Sequence, residues 1–289
     1  MTAAGLISVI VTTYNREDAL DAALRALAHQ SDPNLEIIIA DDGSRPETGR
    51  VIESWASRLP RRLQHIRHEH RGFRGSEIRN RGILASGGEI CIFLDGDCLV
   101  GADFVAAHRR LAEPGWFVTG NRILLSRELT ASVLGAGLTA ETWNFRDLLR
   151  ARLRGGVNRL LPTLRLPLGP LRKLQRASWE GAQTCNLAVA RADLDRIDGF
   201  DNAYTGWGLE DSDLVVRLLR AGVRRKDGRF ATGVLHLWHA PNDRSQFAAN
   251  RTRLDDVIGG DRVRAAHGLS LLSADEAAAT RKSSSMARP

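Results

Sequence analysis

The sequence predicts an α/β fold, a mostly parallel sheet flanked by helices. Two observations carry that prediction. Over residues 7–119, runs rich in β-branched and apolar residues alternate with runs of helical apolar spacing, the signature of strand–helix–strand units. Three of the strand-like runs also end in polar clusters, at Thr12-Thr13, Asp41-Asp42 and Asp95-Gly96-Asp97. In open α/β sheets, ligands bind beyond the carboxyl ends of the strands.

Residues 7–13 are dominated by Ile, Val and Thr and read as a buried strand. Tyr14-Asn15-Arg16 breaks it, and residues 18–29 then carry Leu20, Ala23, Leu24 and Leu27 at helical spacing. Residues 35–40 form a second strand, 47–55 a helix and 63–66 a short strand followed by a basic loop over 68–74. A helix over 76–85 and a Gly87-Gly88 turn lead into the strand that ends at Asp95. Residues 99–110 read as a helix and 116–119 as a strand. From about 129 to 177 the chain becomes Leu/Arg-rich, with Pro162, Pro167 and Pro170. This reads as a helical insertion with a proline-interrupted loop. Small and apolar residues return over 179–190, with helices at 191–197 and 211–220 and a last strand at 230–236. Helices are also expected at 250–257 and 274–281, with a disordered tail from Lys282. The expected organisation is one α/β domain over 1–240, including the insertion, and a C-terminal helical extension over 241–289.

At 289 residues and 43% hydrophobic, the chain can bury a substantial core. Its three cysteines, Cys91, Cys98 and Cys185, are odd in number and lack a spaced pattern. That argues against a disulfide framework or zinc site and for a reducing cytoplasm. The N-terminus lacks a basic region, and the apolar run 7–11 is too short for a signal peptide or membrane span. The net charge is +7. Between Arg146 and Arg176, nine basic residues face Asp147 alone, a surplus of eight. The remainder is nearly neutral, which disfavours a nucleic-acid-binding body. Leu148, Leu149, Leu153, Leu160, Leu161, Leu164 and Leu166 interleave the basic stripe. The pattern suits either a solvated helical face or a peripheral element on an anionic membrane, at the inner face of the cell membrane.

Two acidic clusters point to chemistry. Asp95 and Asp97, spaced i, i+2 at a strand end, face the same way and can approach one divalent cation, Mn²⁺ or Mg²⁺. The competing reading is a solvated Asp-Gly turn. Thr205-Gly206-Trp207-Gly208-Leu209-Glu210-Asp211-Ser212-Asp213 puts three acids at the start of an apolar-periodic helix. Asp211 is either a first-turn carboxylate stabilised by the helix dipole or a base whose pKa its neighbours raise. Asp42 is either a cap for the helix from residue 47 or an acceptor for an imide N–H, which distinguishes uracil. His236 and His239, at i, i+3 beyond a strand, suit metal ligation. For His65, His68 and His70 a solvated loop is expected.

The segments Ser8–Arg16, Ala40–Ser44, Asp95-Gly96-Asp97 and Gly206–Asp211 together resemble the family 2 glycosyltransferases of the GT-A fold. The last resembles the galactosyltransferase and N-acetylgalactosaminyltransferase branch, including bacterial chondroitin-type polymerases. The likeness covers about 6–125 and 178–240, not the insertion or the tail. It implies inverting, metal-dependent transfer of a galactose- or glucose-type sugar, or its N-acetyl derivative, from a UDP-sugar. The implied acceptor is a hydroxyl of a bacterial surface glycan or lipid-linked glycan. By position, the resemblance makes Thr12, Tyr14, Asp42, Arg74 and Asp95 nucleotide-sugar-binding residues. It makes Asp97, His239 and His236 metal ligands, Asp211 the catalytic base, and Trp207, Gly208 and Glu210 acceptor-side residues. Gly96 occupies a position that varies in the family. A nucleotidyltransferase would want a Gly-rich loop after the first strand, where this chain has Thr12–Arg16. A non-catalytic membrane-associated scaffold would not need Asp97, Asp211 and His239.

Overall fold

A computed structural model describes residues 5–137 and 139–274 of the chain, Thr163 by its backbone alone. The first half runs β1 (Ile7–Thr13), α1 (Glu17–Ala28), β2 (Leu35–Asp41), α2 (Pro46–Ala56), β3 (Leu63–Arg67), α3 (Gly75–Ala85) and β4 (Ile90–Asp95). There follow β5 (Cys98–Val100), α4 (Phe104–Leu111), β6 (Trp116–Thr119), β7 (Arg122–Leu124), α5 (Arg127–Gly135) and α6 (Phe145–Leu153). The chain continues through β8 (Asn186–Ala190), α7 (Arg191–Ile197), α8 (Glu210–Arg220), β9 (Arg224–Asp227), β10 (Val234–His236) and α9 (Phe247–Gly259).

Seven strands form one sheet in the order β3-β2-β1-β4-β8-β6-β9. The first four are mutually parallel, β8 runs antiparallel to β4 and β6, and β9 is parallel to β6. The expected α/β class holds. Alternation in the strands divides the core between the two faces. Val9, Val11, Ile37, Ile39, Ile92 and Leu94 pack with Leu20, Leu24 and Leu27 of α1. Ile10, Ile38, Cys91 and Phe93 pack with Ile78 and Ile83 of α3 and Leu214 and Leu218 of α8. Side chains fully buried this way each contribute about 1.5–3 kcal/mol. Gly82 lets α3 approach β1, since a Cβ there would lie 2.8 Å from Ile10 Cγ2. The parallel strands end together, so Thr12, Asp41 and Asp95 share one edge.

A second sheet, β5-β10-β7, lies beyond that edge. It corrects the reading of residues 99–110 as one helix: Cys98–Val100 pairs with Val234–His236, and the helix starts at Phe104. The last strand is shorter than expected, and β7 and β9 were not foreseen. Arg224–Asp227 is an edge strand with no apolar residue, so it follows from backbone pairing rather than side-chain burial.

The insertion is helical through α5 and α6, then continues as 3-10 turns at Leu161–Thr163 and Gly169–Lys173. The basic stripe is not all surface: Arg172 is buried and donates to the carbonyls of Leu166, Asp227 and Arg229. Leu148 is likewise core. The described part of the C-terminal extension packs Leu254 and Val257 of α9 against Val216 of α8. The expected 274–281 helix, beyond Ala274, and the expected disordered tail lie outside the described residues.

Candidate active site

Between the carboxyl edge of the large sheet, the Gly206–Leu209 loop and α5 lies a cleft of about 800 Å³. Thr12, Tyr14, Asp42, Asp95, Asp97, Trp207, Gly208, Glu210, Asp211 and His239 line it. Ten of the twelve sequence-derived site residues therefore converge. The other two stand behind it: His236 is buried next to Asp97, and the Arg74 guanidinium turns to Glu77 at 2.6 Å. What Arg74 gives the site is its backbone N–H, which donates to Asp42 Oδ2 at 3.0 Å.

Asp42 is not a helix cap. Arg45 occupies the N-cap of α2, with Pro46 at the first turn. The Asp42 carboxylate instead accepts from His68 Nε2 at 2.6 Å, and His68 Nδ1 lies 3.5 Å from Glu77. Burial alone would lower the His68 pKa, but Asp42 and Glu77 outweigh it and raise it. The His68 contact, with Arg81 and Arg74, holds Glu77 down at about 2. His70 stacks on the Tyr14 ring, centroids 4.7 Å apart, and contacts the Asp42 carbonyl at 3.2 Å. His65 pairs with Asp41 at 3.0 Å. The solvated loop expected for these histidines is thus replaced by a buttress around Asp42. β3 runs beside β2 with Arg67 level with Asp41, which carries the loop after β3 to Asp42; no local sequence pattern marks this.

Asp97 faces His236 Nε2 at 3.5 Å and His239 Nε2 at 3.7 Å. Each imidazole Nδ1 sits against a backbone carbonyl, Leu237 at 2.9 Å and Ala240 at 2.7 Å. A carbonyl only accepts, so Nδ1 carries a proton in each ring and Nε2 is the atom turned to the carboxylate. The Asp97 carboxylate and the two Nε2 atoms converge on one point, where a single cation can meet all three. This donor set fits Mn²⁺ or Mg²⁺ held with donor phosphate oxygens. Cys98 also comes within ligand range of Asp97 and His236. Its thiol packs in the core, however, and burial raises its pKa well above the usual thiol range. Asp97 and the two histidines are therefore the preferred donors.

Asp211 opens α8 beside Glu210. Burial, then Glu210 and Asp95, push its pKa up to about 7, against the pull of Arg79. One oxygen accepts from the Ser212 N–H at 2.7 Å. Asp213 faces the other way: it is buried and clasped by Arg217 at 2.6 Å, which excludes it as a base. Arg79 of α3 escaped the sequence reading. Buried, it bridges Glu210 at 3.2 Å and Asp95 at 3.4 Å, joining the two acidic clusters. No motif marks it; an arginine in an otherwise buried helix face is its only signal. Glu210 Oε2 and Thr12 Oγ1 are buried without a partner.

The loop before α8 is tightly determined. Gly206 and Gly208 have φ of 69° and 107°, and Leu209 is at 76°, a conformation rare for a bulky residue. Asn250 of α9, buried, donates to the carbonyls of Thr205 and Gly208. Trp207 lies over Phe247, and Arg244 lies 5.0 Å from its ring centroid.

Residues 8–148 match glycosyl transferase family 2, and residues 173–239 match the N-terminal domain of galactosyltransferase. The chain is similar to the family 2 glycosyltransferases over residues 8–148. Validoxylamine A glucosyltransferase of Streptomyces hygroscopicus subsp. limoneus is 29% identical over 261 residues, covering 84% of this chain and 53% of that protein. The fold is similar to that of mannosyltransferase PcManGT from Pyrobaculum calidifontis, solved with GDP-Man and Mn2+. Its TM-score is 0.58 at 21% identity, covering 87% of this chain and 62% of that one. It is also similar to S. aureus TarS 1–349 in complex with UDP-GlcNAc, TM-score 0.59 at 15% identity, covering 88% and 66%. The chain thus spans about half the length of its curated relative.

Proposed function

We propose that the cleft transfers a hexosyl group, of glucose or galactose type or an N-acetyl derivative, from a UDP-sugar to a glycan hydroxyl with inversion. The arrangement that carries this reading is the raised-pKa carboxyl of Asp211 across the cleft from the Asp97–His236–His239 cluster. Asp42, buttressed by His68, and the unpartnered Thr12 hydroxyl take the uridine, with Tyr14 stacked beside them. Asp97, His236 and His239 would hold a divalent cation, which would neutralise charge on the diphosphate leaving group. Asp211 takes the proton of the acceptor hydroxyl as that oxygen attacks the anomeric carbon opposite the diphosphate. Trp207 offers a flat apolar face to the acceptor ring, and Glu210 is oriented by Arg79. Residues 1–240 supply this chemistry and the extension braces the Trp207 loop through Asn250. A cytoplasmic location fits a nucleotide-sugar donor.

The test is UDP release from a panel of UDP-sugars with Mn²⁺, and anomeric analysis of the product. UDP release that needs the cation, with an inverted anomer, supports the reading. Turnover undiminished in excess chelator, or a retained anomer, would overturn it.

A further inference from the structure

We infer that the outer face of the insertion, formed by α6 and the turns that follow it, docks on an anionic lipid bilayer. The observation is a helix with a second, outward apolar stripe. α6 buries Leu148 and Ala151 against the small sheet. Its outward side then presents Phe145, Leu149 and Leu153, spaced four residues apart and 46%, 38% and 79% exposed. Side chains at that spacing share one stripe. Arg146, Arg150 and Arg154 follow one residue later along the same spacing, and Arg152, seven residues after Phe145, returns to the apolar stripe. All four arginines are exposed, with Arg150 3.6 Å from Asp147. A surface helix of a freely soluble domain places polar residues outward.

The turns after α6 add further exposed apolar side chains. Leu161, Leu166, Leu171 and Leu174 are 67%, 42%, 59% and 76% exposed. Buried Arg172, beside Leu171, ties this segment to the carbonyls of Leu166, Asp227 and Arg229. Lys173 and Arg165 turn to Glu113 and Asp103, so those two cations belong to the scaffold. Arg159 and Arg176 remain exposed beside the leucines. Apolar side chains interleaved with arginines match the boundary of an anionic bilayer, where acyl chains and phosphates are layered together. A water-soluble polyanion would use the arginines and leave the leucines without a role. No helix among the described residues is long and apolar enough to cross a membrane, so the contact is interfacial. α5 is the shared wall: Arg127, Thr130, Ala131 and Leu134 line the catalytic cleft, while Leu129 of the same helix joins α6 residues Asp147, Arg150 and Ala151 around a separate cavity. Docking therefore holds the cleft beside the lipid surface, which is independent of the sugar transferred.

The experiment is co-sedimentation of the full chain with vesicles of phosphatidylcholine alone or with one-third phosphatidylglycerol. Binding to the anionic vesicles should be at least tenfold tighter and should weaken as salt is raised severalfold. Arg146→Ser with Arg152→Ser should weaken it about twentyfold, near fivefold for each arginine, and Leu153→Ser with Leu174→Ser should weaken it without changing its salt dependence. None of these side chains lines the cleft, so metal-supported UDP release without vesicles should be unchanged, which also reports folding. Equal binding to both vesicle types overturns the inference with no variant needed. So does a concentration-dependent dimer that Leu153→Ser abolishes, which would assign the face to a second copy of the chain. Binding of an anionic oligosaccharide with no vesicle binding would overturn it in favour of an acceptor surface.

Discussion

If Asp211 is the base, the pH dependence of transfer follows from its surroundings. Its carboxyl is raised to about 7 by burial and by Glu210 and Asp95, with Arg79 opposing. The active form is the carboxylate, so activity falls as pH drops through that value. At pH 6 about one-tenth of the base is ionised, and kcat/KM should fall tenfold per unit below that. Asp211→Asn keeps the shape and the Ser212 contact but takes no proton. Its rate should fall by about 10²–10⁴-fold and its residual activity should lose the acid limb. Donor affinity should change little. Ionising a carboxyl whose folded pKa is raised opposes folding. That penalty appears as pH rises past the ordinary value near 4 and is complete above about 7. The Asn variant should therefore melt no lower than the parent at pH 8, which separates lost chemistry from lost structure. The assay is kcat/KM for the acceptor at saturating donor and Mn²⁺ between pH 5.5 and 8.5, for both proteins. A flat profile for the parent, or an acid limb that persists in the variant, would refute the reasoning.

Three further outcomes are expected. Excess chelator should abolish transfer and Mn²⁺ restore it; Asp97→Asn should resist restoration, and His239→Ala should weaken Mn²⁺ binding at least about tenfold in a calorimetric titration. Asn250→Ala removes the donor that ties α9 to the Thr205 and Gly208 carbonyls; it should lower stability by about 1–3 kcal/mol in denaturant unfolding and raise the acceptor KM more than the donor KM. Gly206→Ala places a Cβ 2.6 Å from Gln246 Cβ at a φ of 69°, so transfer should fall at least tenfold while Mn²⁺ binding, measured by titration, stays intact.

The parallel half of the fold was legible where its strands are buried on both faces and read as near-continuous apolar runs. Ile7–Thr13 and Leu35–Asp41 are the clearest cases, with every position but Thr12 buried. β9 was illegible for the opposite reason. Arg225 is buried only because its guanidinium reaches the carbonyls of Ser178 and Glu180, a contact with no local sequence pattern. The site divides in the same way. Asp95, Asp97, Asp211 and His239 stand in compact motifs at element ends, where spacing alone says what can converge. Arg79 and His68 act through partners 131 and 26 residues away, and such pairings are set by packing of the finished fold. The insertion was half legible: its charge and leucines were visible, but which of them the fold would claim, as it does Leu148 and Arg172, depended on contacts with β9 and the small sheet.

Of the carboxylates that line the cleft, Asp95, Asp97, Glu210 and Asp211 form the two acidic clusters, and like charges this close cannot all persist uncompensated. Arg79 forms ion pairs with two of them, Glu210 and Asp95. Asp97 and Asp211 have no arginine ion pair among the described residues, and burial raises both pKa values. Under the proposed function, those two carboxyls are the ones left to meet charge from outside: a cation at Asp97, which the two imidazole Nε2 atoms face, and a proton from the acceptor at Asp211. A buried arginine that compensated all four would leave a stable cleft with neither a cation site nor a base. By pairing only Glu210 and Asp95, Arg79 locks the donor-side strand end to the first turn of α8 and sets the distance between the two unpaired groups. The electrostatic imbalance that remains is directed at the two positions where the proposed reaction changes charge.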